Sequence, residues 1–437
     1  MADSLAGALS MSQRLAVIGA GWAGCAAAVQ AVDEGFDVTL YEMASHLGGR
    51  ARRVDIEGLA LDNGQHILMG AYTECLRLMR QVGVRTTLDL LRTPLQLIHA
   101  DGSGLRLGAG RAVPALLKAI AAQRGWTRGE RLALLRQATL WTLRRFRCAP
   151  ELTVAQLCAN LPVRVRDELI DPLCAAALNT PAHRASAAVF LRVLRDTLGS
   201  GPGSSDLLLP RTHLSALFPD PAARWLERAG ARVRRHHRVT ALQRHAPHGW
   251  RVDGEAYDAV ILACPPGEAA RLCRPHAPAW AEQAESLSFE PIVTVYAHAD
   301  GARLPQPMLA LRSHDAAPAQ YVFDRGQLNG PTGLLAFVIS AASPWVSRGL
   351  EATAQAVCEQ AHRELSRYLR PPLRVIRSIV EKRATFLCEP GLQRPSATIA
   401  PGLWAAGDHV NGPYPATLEG AVRAGVAAAR LAAASLR

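Results

Sequence analysis

Gly19, Gly21 and Gly24 follow the apolar run Leu15–Ile18, and an acidic residue, Glu42, closes a second apolar run 23 residues after the first glycine. Gly19 permits a tight turn where a side chain would collide. Gly21 lets the backbone approach a pyrophosphate, and Gly24 lets the small-residue helix that follows lie on the strand, so that its N-terminus aims free N–H groups at phosphates. Glu42 suits the acceptance of hydrogen bonds from ribose hydroxyls and would repel a 2′-phosphate, which disfavours NADP. The glycine spacing alone is weak, since a plain glycine-rich turn has it too. Strand, glycines, helix, strand and acidic end in that order predict a dinucleotide-binding βαβ unit.

A second glycine pair, Gly48-Gly49-Arg50, comes soon after Glu42, and binding NAD does not need it. Near the other end, an apolar strand runs into Gly407-Asp408, and Gly420, Ala421 and Val422 lie in a small-residue run that reads as a helix start. With the N-terminal fingerprint, these segments resemble the FAD-dependent amine oxidase and phytoene desaturase superfamily over nearly the whole chain. The resemblance implies an FAD site closed from both ends. Gly48, Gly49 and Arg50 would wrap the ribose and pyrophosphate, and Asp408 would accept from a ribityl hydroxyl or flank the pyrophosphate. The backbone at 420–422 would meet the flavin edge, where a helix N-terminus favours the electron-rich N1–C2=O side. Arg238 and Val239 would lie beside the adenine. Cys388 does not stand in a covalent-flavin context, so the FAD is expected to be non-covalent.

The fold class the resemblance implies is α/β: an FAD-binding Rossmann-type (GR2-like) domain from residues 12–85, 205–275 and 375–437, with an interleaved α+β substrate domain from 86–204 and 276–374. The elements that position these residues are read from periodicity. Helical patterns run over Val113–Ala122, Arg128–Arg147, Arg164–Leu178 and Ala185–Leu198, and strand patterns over Ile292–Tyr296 and Leu334–Ile339. Gly199–Ser205 reads as a linker, and Cys264-Pro265-Pro266 as the turn ending a buried strand.

Length and composition bound the rest. The chain has 437 residues, 49% of them apolar, enough for two domains with proper cores. No run of eighteen apolar residues predicts a transmembrane helix, and the first ten residues lack a secretory pattern. Nine cysteines without a CxxC pair read as reduced thiols in a cytoplasmic protein with no metal site. The net charge of +12 suits anionic lipid or acidic ligands, but nearly every basic residue is Arg, which is equally a composition bias. Nothing else supports nucleic-acid binding. The Trp126–Arg147 segment mixes leucines, tryptophans and arginines. It reads either as an ordinary core-facing helix or as an interfacial helix in peripheral contact with a membrane.

Within the superfamily, Leu61–Leu68, Ser205–Arg211, Glu381–Phe386 and Asn411–Glu419 are similar to the hydroxysqualene dehydroxylases of bacterial hopanoid synthesis. Carotenoid desaturases, which run the flavin oxidatively, match less well, as do amine and protoporphyrinogen oxidases. The resemblance implies reduced flavin delivering hydride to the carbinol carbon of a long-chain isoprenoid. An acid would assist the departing hydroxyl, and an apolar tunnel would exclude water. His66 is the candidate acid or a structural histidine, and Asp62 a loop-orienting carboxylate. Lys382 either holds water at flavin N5 or is a solvated surface lysine. Tyr414 is a candidate tunnel wall or hydroxyl donor. No second nucleotide segment is evident, so a separate electron donor or reductase is expected.

Overall fold

The computed structural model describes residues 12–108, 112–123, 125–246 and 249–436. Residues 1–11, among them the ten read as lacking a secretory pattern, and 109–111, 124, 247–248 and 437 lie outside the described residues.

A six-stranded sheet carries the glycine motifs. Its order is Arg232–Arg234, Asp37–Tyr41, Arg14–Ile18, Ala259–Leu262, Leu403–Ala405 and Thr398–Ala400. The first five strands are parallel, and the last is antiparallel to its neighbour. Buried on both faces, the parallel strands need apolar runs, which Leu15–Ile18 and Ala259–Leu262 supply. Helix Trp22–Asp33 packs against the C-terminal helix Leu418–Leu436, and a Cβ at Gly425 would stand 2.2 Å from the Ala23 carbonyl oxygen. Chain start and chain end thus share one core through small residues.

The second sheet is antiparallel, with the order Met308–Ala310, Tyr321–Asp324, Leu334–Ile339, Phe289–His298 and Arg374–Phe386. Alternation along the fourth of these strands divides its faces. Val293 and Val295 pack with Val357, Ala361 and Leu365 of helix Leu350–Leu365. Tyr296 turns the other way, toward a core shared with Phe190, Leu191 and other residues of the 112–199 helices.

Three local expectations change. The predicted helix Arg164–Leu178 is Val163–Val165, a π-segment Arg166–Ile170 and Asp171–Leu178. Pro172 offers no N–H and its ring crowds the preceding turn, so a widened turn precedes it. The predicted Arg128–Arg147 helix opens on a Thr127–Glu130 capping box but ends at Leu143. Arg145 and Phe146 take φ of 51° and 55°, and the Phe146 N–H closes on the Trp141 carbonyl at 2.7 Å. Pro265-Pro266 does more than turn the chain, for helix Pro266–Cys273 begins there.

Candidate functional site

The glycine loop has the geometry its residue types predict. Gly19 has φ of 103°, and a Cβ there would stand 2.8 Å from the Ala263 carbonyl oxygen; at Gly24 it would stand 1.7 Å from the Gly19 carbonyl oxygen. Gly21 differs. It is the N-cap of helix Trp22–Asp33, with no side-chain cap bond, and the nearest atom to an added Cβ is Gly49 Cα at 3.9 Å. The space in front of that helix end is therefore open, and its first-turn N–H groups have no capping side chain. Gly48 completes the cradle, its N–H donating to the Ala20 carbonyl at 2.9 Å and its backbone bridged to Gly21. Glu42, buried, accepts from the Ala20 and Ala44 N–H groups, each at 2.9 Å. Those bonds hold the carboxylate at the rim, with its remaining lone pairs left for hydroxyl donors.

Arg50 ties this cradle to the C-terminal segment. Its guanidinium is ion-paired with Asp408 and donates to the Ala384 carbonyl at 2.8 Å. That carbonyl is free because the strand pairing breaks: Thr385 faces Glu290 and Glu381 faces Ile292, so Lys382, Arg383 and Ala384 bulge opposite Pro291. Proline has no N–H for the ladder, and a bulge re-aims the neighbouring groups. Burial acts to raise the Asp408 carboxyl, but Arg50 and His409 beside it hold it below the usual range. The structure thus gives Arg50 a carboxylate partner, ready to exchange for or share with a phosphate.

The remaining candidates divide. Lys382 is exposed on the bulge, with no hydrogen-bond or ion-pair partner among the described residues. His66 Nδ1 lies 2.8 Å from the Gly64 carbonyl, and burial lowers its pKa despite that bond. The lowered pKa favours the neutral imidazole, with Nδ1 donating to the carbonyl and Nε2 free to accept. Tyr414 lies apart from both. It packs under the Arg423 guanidinium, 5.0 Å from it, and lines a groove of about 700 Å³ with Arg394, Arg423 and Arg430.

Val239 is buried and its carbonyl accepts from Arg271 at 2.8 Å, which leaves its N–H as the backbone group able to read a base; Arg238 is ion-paired with Glu268. The 420–422 run lies in the first turn of the C-terminal helix. The helix begins at Leu418, the Gly420 N–H donates to Thr417 Oγ1 at 2.9 Å and the Ala421 N–H to the Thr417 carbonyl at 3.0 Å. Val422 points into the core against the first helix. Thr417 caps this end, so those amides are already committed.

Several contacts here escaped the sequence reading. Asn63 Nδ2 donates to Glu381 at 2.8 Å and to the Arg50 carbonyl at 3.2 Å, which joins the loop after Asp62 to the bulge. Burial pushes the Asp62 carboxyl up to about 6, although it accepts the Leu214 N–H at 2.7 Å. His409, buried beside Asp408, keeps an Nε2 with no partner among the described residues, and burial pushes its pKa down to about 4. Runs 61–68 and 381–386 were legible as motifs, but their meeting was not. Among the described residues no cluster of His, Cys, Asp and Glu could hold a metal ion.

An open helix N-terminus, a glycine cradle, an acidic rim residue and an unpartnered buried imidazole fit a flavin nucleotide, and define the class as a flavin-dependent oxidoreductase. Residues 22–433 match the family described as flavin containing amine oxidoreductase, and the chain belongs to that family. It is 30% identical over 458 residues to a hydroxysqualene dehydroxylase of Rhodopseudomonas palustris, covering 98% of this chain and 100% of the relative. A protein of the same name from Sinorhizobium fredii is 29% identical, covering 97% and 99% of the two chains. Among solved structures, cyclohexylamine oxidase from Brevibacterium oxydans shares the fold with a TM-score of 0.71 at 16% identity, covering 97% of this chain and 99% of that one.

Proposed function

We propose that this enzyme binds FAD non-covalently and reduces hydroxysqualene to squalene. The observation that carries the reading is the likeness to hydroxysqualene dehydroxylases over 98% of this chain and 100% of the relative. When bound, reduced FAD would supply a hydride at N5: a C–O bond breaks, a C–H bond forms, the flavin is oxidised and water leaves. The protein's own part is to hold the cofactor between the Gly19–Gly24 loop, Glu42, Arg50 and Asp408, and to keep water from an allylic cation. The aromatic and aliphatic sheet face bearing Tyr296, Tyr321, Phe323 and Val338 suits a long isoprenoid chain. A separate donor must reduce the flavin after each turnover.

The same reading includes peripheral attachment to a membrane surface from the cytoplasmic side. On helix Arg128–Leu143 the buried residues are Leu134 and Trp141, while Leu132 and Leu143 are 67% and 74% exposed. Arg128, Arg136, Arg144, Arg145 and Arg147 are exposed around them, with no ion-pair partner among the described residues. Apolar tips ringed by arginine suit anionic headgroups above acyl chains. No helix among the described residues is long and apolar enough to cross a membrane.

The test is anaerobic. Protein carrying reduced flavin is mixed with hydroxysqualene, and squalene should appear in step with flavin reoxidation. If squalene does not form, and a polyene such as phytoene instead bleaches the oxidised enzyme, the chain is a desaturase.

A further inference from the structure

Thr294 lies at the centre of the antiparallel sheet, paired with Val338 on one side and Ile379 on the other, and is 1% exposed. Its Oγ1 has no hydrogen-bond partner among the described residues, an arrangement that proteins avoid unless a ligand or water supplies the missing bond. The 62–66 loop crosses this spot. Tyr296, two residues along the same face, donates its hydroxyl to the Asp62 carbonyl at 3.0 Å. At Gly64 an added Cβ would stand 3.8 Å from both Thr294 Oγ1 and His66 Cε1. Gly64 therefore lies between a hydroxyl and an imidazole, where even a methyl group would touch both.

Gln65, next in the loop, has a second unpaired atom. Its Oε1 accepts from Arg325 at 3.1 Å, and because a guanidinium only donates, the amide is fixed with its NH2 group turned away; that Nε2 is buried and has no partner among the described residues. His66 commits Nδ1 to the Gly64 carbonyl and keeps Nε2 as an acceptor. An amide donor and an imidazole acceptor thus stand on consecutive residues after Gly64, on the loop that meets the Thr294 hydroxyl.

We infer that Thr294 Oγ1, Gln65 Nε2 and His66 Nε2 form a subsite for the hydroxyl of a long apolar alcohol. An alcohol oxygen accepts from the amide while its proton goes to the imidazole or the threonine, and all three protein groups gain partners. A hydrocarbon without the hydroxyl leaves them unpaired. Such a site binds the alcohol and releases the deoxygenated product, a larger discrimination than fit to the apolar chain alone provides. Arg325 acts as a positioning residue through Gln65. The inference rests on the reading above and deepens it.

The test uses the holoenzyme with oxidised flavin, titrated in detergent micelles with hydroxysqualene and with squalene while flavin absorbance is followed. Wild type should prefer the alcohol. Thr294→Val, equal in size, should lower that preference about tenfold, the loss of one neutral hydrogen bond, with squalene affinity unchanged. Its melting temperature should equal or exceed the wild-type value, since it removes an unpaired hydroxyl. Thr294→Ser should restore the preference, and Gln65→Leu should lower it. A Thr294→Val protein that melts normally and keeps the full preference overturns the subsite. If wild type turns over hydroxysqualene in that case, the proposed function survives without it. A wild type that neither prefers nor converts the alcohol refutes the proposed function, and the subsite with it.

Discussion

Gly21→Ala separates cofactor binding from folding, because the two demands on this residue differ. Its φ of −68° is one that any residue adopts, and the nearest atom to an added Cβ is 3.9 Å away. The protein alone therefore has room for the methyl group. As a helix N-cap alanine is poorer than glycine, but by no more than about 1 kcal/mol. A phosphate lying against the open helix end has no such room. The methyl would push it away from the first-turn amides and weaken at least one charge-assisted bond of about 1.5–3 kcal/mol, so flavin affinity should fall about 10- to 150-fold. Gly24→Ala is the control, since its Cβ would stand 1.7 Å from a carbonyl oxygen and should cost the fold itself. The assay is flavin stoichiometry after gel filtration, the dissociation constant from quenching of flavin fluorescence, and the melting temperature of the stripped proteins. Gly21→Ala that melts like wild type and binds flavin as tightly would refute the placement of a pyrophosphate at this helix end.

Asp62 has a folded-state pKa of about 6 against its ordinary 3.8, so the folded protein holds this proton more tightly and loses stability as pH rises from about 4 through 6. Asp62→Asn keeps an acceptor for Leu214 and should be more stable at pH 8 by up to about 3 kcal/mol, a gain that shrinks toward pH 4; equal melting shifts at both ends of that range would contradict it. Arg50→Ala strands the Asp408 carboxylate, 6% exposed, and should cost about 3–5 kcal/mol along with the flavin. Asp408→Asn on top should recover most of the stability but not the flavin, as thermal melts and flavin content will show. Because burial holds His66 neutral, its titration should contribute no limb to the rate profile above pH 6.5; a limb there that vanishes in His66→Gln would make it a charged acid after all. Serine at Leu132 and Leu143 should abolish flotation with anionic vesicles while leaving turnover of micellar substrate intact.

What was legible in the chain was whatever depends on neighbours in sequence. The strand–glycine–helix order and the acidic end of the second strand needed only local sterics, and Leu334–Ile339 emerged with the bounds its apolar run predicts. The site's working contacts are of another kind. Arg50 meets Asp408 across 358 residues, and Asn63 meets Glu381 across 318. No periodicity in the chain encodes either meeting. Even so, one trace was present. Pro291 in a run that otherwise reads as a strand predicts a break in pairing, and that break frees the Ala384 carbonyl for Arg50 and exposes Lys382. His66 illustrates the opposite limit. Its residue type suggested an acid, but whether an imidazole is charged depends on burial and on the partner of its other nitrogen, and only the folded environment fixes those. Burial favours an acceptor at His66 Nε2 over a charged acid, and an acceptor on the loop that meets Thr294 suits recognition of an alcohol more than protonation of one.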